Sequence, residues 1–278
     1  MFNISNLTSQ KFSTRIGDSR VRLTGPTTYY IRTDGNDSND GSADTPSSAF
    51  ASIQRAVILI LQAIDTAGYD VTIKLADGTY TSGGAYIYTS TYGGGAIYIV
   101  GNTTTPSNVV ISTQYDAITT TRNTGIVIVT GVKIQTTAGN CLVASNFSNL
   151  IFQNVVFGSA PGNSHVYSLC HSNIWGTENY TISGGAGIHV NSAYRSTVNI
   201  ASGKTITLTG TPSFTTRFLH LQDHAYANFH TTTFSGTATG QRYMLYRNSG
   251  VLTGLGNGNV NYFPGSSAGA NLYGSQYA

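Results

Sequence analysis

Residues 141–162 read "CLVASNFSNLIFQNVVFGSAPG", and the pattern they set returns four more times: "HVYSLCHSNIWGTENYTISGGAG" from 165, "IHVNSAYRSTVNIASGKTITLTGTP" from 188, "FLHLQDHAYANFHTTTFSGTATG" from 218 and "YMLYRNSGVLTGLGNGNVNYFPG" from 243. Each unit has a short apolar strand, a few polar residues, a second strand and a Gly-containing turn. The starts are separated by 24, 23, 30 and 25 residues. A unit this short cannot bury its own apolar face, whereas stacked units bury a continuous core between them. A β-sandwich or jelly roll also yields many short strands, at intervals of about 8 to 12 residues. The longer, nearly constant period favours a stack of coils. Its register matters, because a slip of one residue exchanges inward and outward side chains.

The rest of the chain agrees. "DVTIKLADGTY" (70–80) alternates apolar with polar, and "GAIYIVG" (95–101), "NVVIST" (108–113) and "GIVIVTGVKIQ" (125–135) follow as further short strands between Gly, Asn and Ser turns. One segment has helical spacing. In "TPSSAFASIQRAVILILQAID" (45–65), Phe50, Ile53, Val57, Leu61 and Ile64 recur every three or four residues, with Thr45 or Ser48 as the expected start. Ile58, Leu59 and Ile60 widen the apolar stripe, so this helix is expected to cover an open hydrophobic end. In "GGAYIYTSTYGGGAIYIVG" (83–101), Ile87, Ile97 and Ile99 facing inward put Tyr86, Tyr88 and Tyr98 on the outer wall.

Composition narrows the function classes. Only 9% of the 278 residues are charged, and the basic ones are scattered, so no phosphate-binding stripe is present and nucleic acid is not an expected partner. Cys141 and Cys170 lack zinc-ligand spacing and read as small, free thiols. No apolar run reaches the length of a membrane span, and the first residues carry no basic and apolar leader pattern. No cofactor is expected.

The stretch "YYIRTDGNDSNDGSADTPSSAFASIQRAV" (29–57) joins a strand to the helix through Gly35, Asp37, Gly41, Pro46, Phe50, Ser52, Ile53, Gln54 and Ala56. In that order these residues resemble the N-terminal signature of the pectate-lyase-like superfamily of right-handed parallel β-helix proteins. Within it, "KLADGTYTSG" (74–83) and "NYFPGSSAGANLYGSQYA" (261–278) resemble segments of bacteriophage tail-spike and tail-fibre-like virion proteins. The resemblance implies a single-stranded right-handed parallel β-helix with an N-terminal capping helix, displayed on a phage particle as a homotrimer and released by lysis. The expected layout is an arm at 1–28 that docks to other virion proteins, a strand, turn and capping helix at 29–69, coils at 70–263 and a Gly/Ser-rich tail at 264–278. The fold hosts lyases, hydrolases and adhesins alike, so chemistry has to be argued from residues.

"DGNDSNDG" (34–41) looks like a calcium loop but fails that test. Counting from Asp34, the sixth and twelfth positions are Asn39 and Thr45; from Asp37 they are Ser42 and Ser48, where Gly and Glu are needed. Asx turns with Gly at positive φ are the expected use, and no metal site is expected. Glycoside cleavage generally needs two carboxylates about 5–10 Å apart. Beyond residue 80 the only acids are Asp116, Glu178 and Asp223, and the repeat alignment does not bring them together. Six residues into the coils, His171, Tyr194 and His224 are expected to form a short exposed column suited to sugar stacking, with a ladder of plain turn residues as the competing reading. The expected function is a non-catalytic phage surface protein, tail-spike-like or a head decoration, that contacts host polysaccharide. The alternative is a polysaccharide depolymerase using Glu178 or Asp223.

Overall fold

A computed structural model describes residues 12–13, 20–255 and 259–278. The chain is all-β, with parallel strands wound into a solenoid of about eight turns and one short helix near the N-terminus. Three parallel sheets form the walls, with ten, eight and seven strands. The repeat unit that starts at Cys141 shows the path of one coil. Leu142–Ser145 lies in the eight-stranded face, Asn149–Gln153 in the ten-stranded face and Val156–Phe157 in the seven-stranded face, before the chain re-enters the eight-stranded face at Ala160.

Alternation along each strand builds the core. On the ten-stranded face one inward column runs Val71, Ile97, Val127, Leu150, Ile174, Val198, Ala227, Val251 and Tyr277, and all are buried. Ile87, Ile97 and Ile99 are inside as expected, and Tyr86 stands outside, 48% exposed. The true register is Leu142, Val166, Val190, Leu219 and Tyr243. The coils are thus offset by 24, 24, 29 and 24 residues. The 29-residue step builds up in stages: the offset between paired residues grows from 24 to 26 in the turn from the ten- to the seven-stranded face, to 28 in the turn before the eight-stranded face, and to 29 at the irregular register where Ala186–Ala193 pairs with Ser213–Gln222. Sequence alignment therefore ran one residue early at Ile188 and one late at Tyr243.

The helix, α1, spans Ile53–Ala63 and begins later than expected. Thr45–Phe50 is instead a folded turn whose end bridges Ile31, and Ser52 is the N-cap. The cause is Asp37. Its Oδ1 accepts the backbone N–H groups of Ala51 and Ser52 at 2.9 and 2.8 Å, its Oδ2 accepts the Ser52 hydroxyl at 2.6 Å, and the Ser52 oxygen then accepts the Arg55 N–H. Gly41, at φ 73°, is needed because a Cβ there falls 2.4 Å from the Phe50 ring. The acidic stretch is a clamp on a helix start, with Asn36 and Asp40 closing Asx turns onto Ser38 and Ser42. The buried residues of α1, including Ile53, Val57, Ile60 and Leu61, join the core of the first coils.

Residues 1–11 and 14–19 of the expected arm lie outside the described residues, Lys11 and Arg15 among them. From Arg20 onward the segment is part of the body. The Arg20 guanidinium donates to the Leu61 and Ile64 carbonyls at the end of α1, Val21–Leu23 pairs with Ile64–Asp65, and Arg22 pairs with Asp65 at 2.9 Å. At the other end, Ala270–Leu272 and Gln276–Tyr277 add a last rung to the eight- and ten-stranded faces. Among the described residues no helix is long and apolar enough to cross a membrane.

Candidate functional site

Between the eight- and ten-stranded faces the chain turns a corner in three residues, and the same corner repeats coil after coil. Its first two positions are left-handed: Asn146 and Phe147 (φ 55° and 66°), Cys170 and His171 (56° and 62°), Tyr194 and Arg195 (55° and 59°), Asp223 and His224 (54° and 62°), Arg247 and Asn248 (53° and 56°). The third position, occupied by Ser148, Ser172, Ser196, Ala225 and Ser249, is buried. Its hydroxyls tie the coils together: Ser148 N–H donates to Ser172 Oγ and Ser172 N–H to Ser196 Oγ, both at 3.1 Å. Backbone bonds from Phe147 to Cys170, His171 to Tyr194, Arg195 to Asp223 and His224 to Arg247 complete the ladder.

The structure brings His171 and His224 to equivalent corner positions, and puts Arg195 rather than Tyr194 between them. Tyr194 occupies the preceding position of its coil, 51% exposed on the same edge. The outer column is therefore Phe147, His171, Arg195, His224 and Asn248, stepping by about 4.8 Å per coil. Phe147 is 63% exposed, and its ring stacks on His171 with centroids 5.1 Å apart and planes at 16°. Arg247 pairs with Asp223 at 3.2 Å and lies over the Tyr246 ring at 4.9 Å, whereas Arg195 has no ion pair among the described residues. Left-handed backbone suits Gly and Asn and costs other residues, more so those with large side chains. Phe, His, Tyr and Arg in these places leave local backbone preference unsatisfied, the kind of strain that collects at functional surfaces.

The three candidate acids stand on three different edges. Asp223 is on the corner just described. Glu178 lies in the turn from the ten- to the seven-stranded face, exposed and 3.8 Å from Lys204. Asp116 lies in the turn from the seven- to the eight-stranded face, where its Oδ1 accepts the backbone and side-chain N–H of Asn140 at 2.7 and 2.9 Å. No two of them face each other, so they do not form the acid and base, or acid and nucleophile, of a glycosidase. Asp116 does line an open groove of about 590 Å³ that includes Gln54, Tyr86, Tyr115 and Thr119.

Sequence reasoning missed a buried polar chain. The His165 Nε2–H donates to the Gly158 carbonyl (2.8 Å), its Nδ1 meets His189 Nδ1 (3.0 Å), and His189 Nε2 meets the Tyr180 hydroxyl (2.9 Å). Donors and acceptors close with both imidazoles neutral: His189 Nδ1–H donates to His165, and Tyr180 O–H donates to His189. Burial among Phe157, Phe214 and Phe218 pushes His165 down to about 4 and His189 well below its ordinary value. This group is buried inside the solenoid. Its signal was the recurrence of His-Val at 165 and 189, hidden by starting that coil at Ile188.

No family model, curated protein or solved structure matches the chain.

Proposed function

We propose that the protein is a non-catalytic component of a bacteriophage particle surface, tail-spike-like or a head decoration, that holds host-surface glycan along the corner carrying Phe147, His171, Tyr194, Arg195 and His224. The phage assignment rests on the resemblance of residues 74–83 and 261–278 to segments of phage tail-spike and tail-fibre-like proteins, within a superfamily whose N-terminal signature residues 29–57 resemble. The observation that carries the binding role is the run of exposed aromatic and basic side chains at left-handed positions on one edge. Stacked Phe and His faces suit the apolar face of a pyranose, and Arg supplies donors for hydroxyl or carboxylate groups. A homotrimer presents three such edges, and avidity then raises weak contacts to useful strength.

Depolymerase activity has less support, since Glu178, Asp223 and Asp116 are dispersed over three edges. Incubation of the protein with capsule or lipopolysaccharide of a host strain separates the two classes. Retention of the polysaccharide without new reducing ends or unsaturated sugars is the expected result. Turnover that disappears in Glu178→Gln contradicts it.

A further inference from the structure

We infer that the groove beside Asp116 is a second, separate subsite that takes a protonated amine carried on a saccharide. The saccharide part rests on the proposed glycan-binding role; the amine part rests on the groove alone. Asp116 is the only charged residue among those lining it, and Tyr86 and Tyr115 line it as well, 48% and 71% exposed. A single carboxylate next to open aromatic faces is a site for a cation, because the ring quadrupole and the carboxylate both attract positive charge. Neutral sugars can donate hydroxyls to that carboxylate but bring no opposite charge, and acidic sugars are repelled by it.

The charge at 116 is not required by the coil. Asp116 Oδ1 accepts the Asn140 N–H, and one coil later Asn140 Oδ1 accepts the Ser164 N–H at 2.9 Å, the same backbone task performed by a neutral amide. Asn at position 116 can therefore serve the ladder equally well. The ladder uses Oδ1, and Oδ2 has no hydrogen-bond partner among the described residues. The groove is also held firm. Gln54 from α1 grips the Tyr86 backbone N–H at 2.7 Å, and Gly84 packs so closely on Ala117 that a Cβ lands 1.5 Å from its carbonyl oxygen. A lone carboxylate with this lining offers too few oxygens for a calcium ion, which takes six to eight.

Calorimetric titration at pH 7 with D-glucosamine, N-acetylglucosamine and glucose tests the inference, since the three differ at one position and only glucosamine carries a charge there. Wild-type protein is expected to bind glucosamine at least about tenfold more tightly than the other two. Asp116→Asn is expected to erase that preference with an unchanged melting temperature, and Tyr115→Ala, at an exposed site, to weaken glucosamine binding without a change in fold. Equal affinity for all three sugars, a preference that persists in Asp116→Asn, or saturable calcium binding in place of glucosamine binding overturns the subsite. Retention of host polysaccharide by Asp116→Asn, measured in parallel, reports on the corner edge and separates failure of this inference from failure of the binding role.

Discussion

Acidification from pH 7 to pH 4 is expected to remove about 3 kcal/mol or more of folding stability, most of it through His165 and His189. Both imidazoles are neutral in the folded chain and free to protonate in the unfolded one. The unfolded state therefore binds more protons between the ordinary histidine value of 6.5 and the folded value of about 4, and stability falls as pH drops through that window. Above 6.5 the full contribution is present. Geometry gives the reason: a proton added to His165 Nδ1 points at the His189 Nδ1–H, and relief requires His189 to move its proton onto the nitrogen that accepts from Tyr180. His220, on the outer face of the same wall, is also held down to about 4 by partial burial and by Arg217, and adds to the slope. Guanidinium unfolding at pH 7, 5.5 and 4 measures the effect. A double substitution of His165 and His189 by Phe is expected to flatten the slope, and an unchanged slope in that variant assigns the acid sensitivity elsewhere.

Asp37→Ala is expected to cost about 2–3 kcal/mol, a large effect for one exposed side chain. The substitution removes three hydrogen bonds to a carboxylate, leaves the Ala51 and Ser52 N–H groups without their acceptor, and frees the Ser52 hydroxyl that caps α1. Arg55 keeps its acceptor, since its Nε donates to the backbone carbonyl of residue 37 at 2.9 Å. The loss is local at first: α1 covers the first coils, so amide exchange across residues 53–63 is expected to rise before the later coils respond. Asp37→Asn keeps one acceptor oxygen and is expected to fall between wild type and Asp37→Ala. Calorimetry in the presence of calcium adds a control, because a metal-loop role predicts calcium-dependent stability that the clamp does not.

What the sequence made legible follows from which forces are local. Alternation of Val71, Ile73 and Leu75, and the return of a similar pattern about every 24 residues, report burial on a pleated wall, so the solenoid could be read from them. The start of α1 could not. Thr45 and Pro46 have good local capping chemistry, but Asp37, fifteen residues before Ser52, captures the amides that decide where the helix begins. The corner is legible only approximately for a related reason: the extra residues of the longer coil between Val190 and Leu219 enter mainly in its turns, which no periodic count anticipates. A coil start at Ile188, one residue early, aligns Tyr194 rather than Arg195 with the two histidines. The groove at Asp116 draws Gln54, Tyr86 and Tyr115 from the helix and two coils, a convergence that depends on winding rather than on spacing in the chain.

The corner edge makes the most direct test, because the proposed binding role is what would place these side chains there at the expense of backbone comfort. In a variant with Phe147→Asn, His171→Asn, Arg195→Asn and His224→Asn, each position gains a residue that tolerates left-handed backbone. Measured side by side with wild type, retention of host polysaccharide is expected to be lost while the free energy of unfolding is unchanged or higher. Retention at the wild-type level in a folded variant contradicts the account.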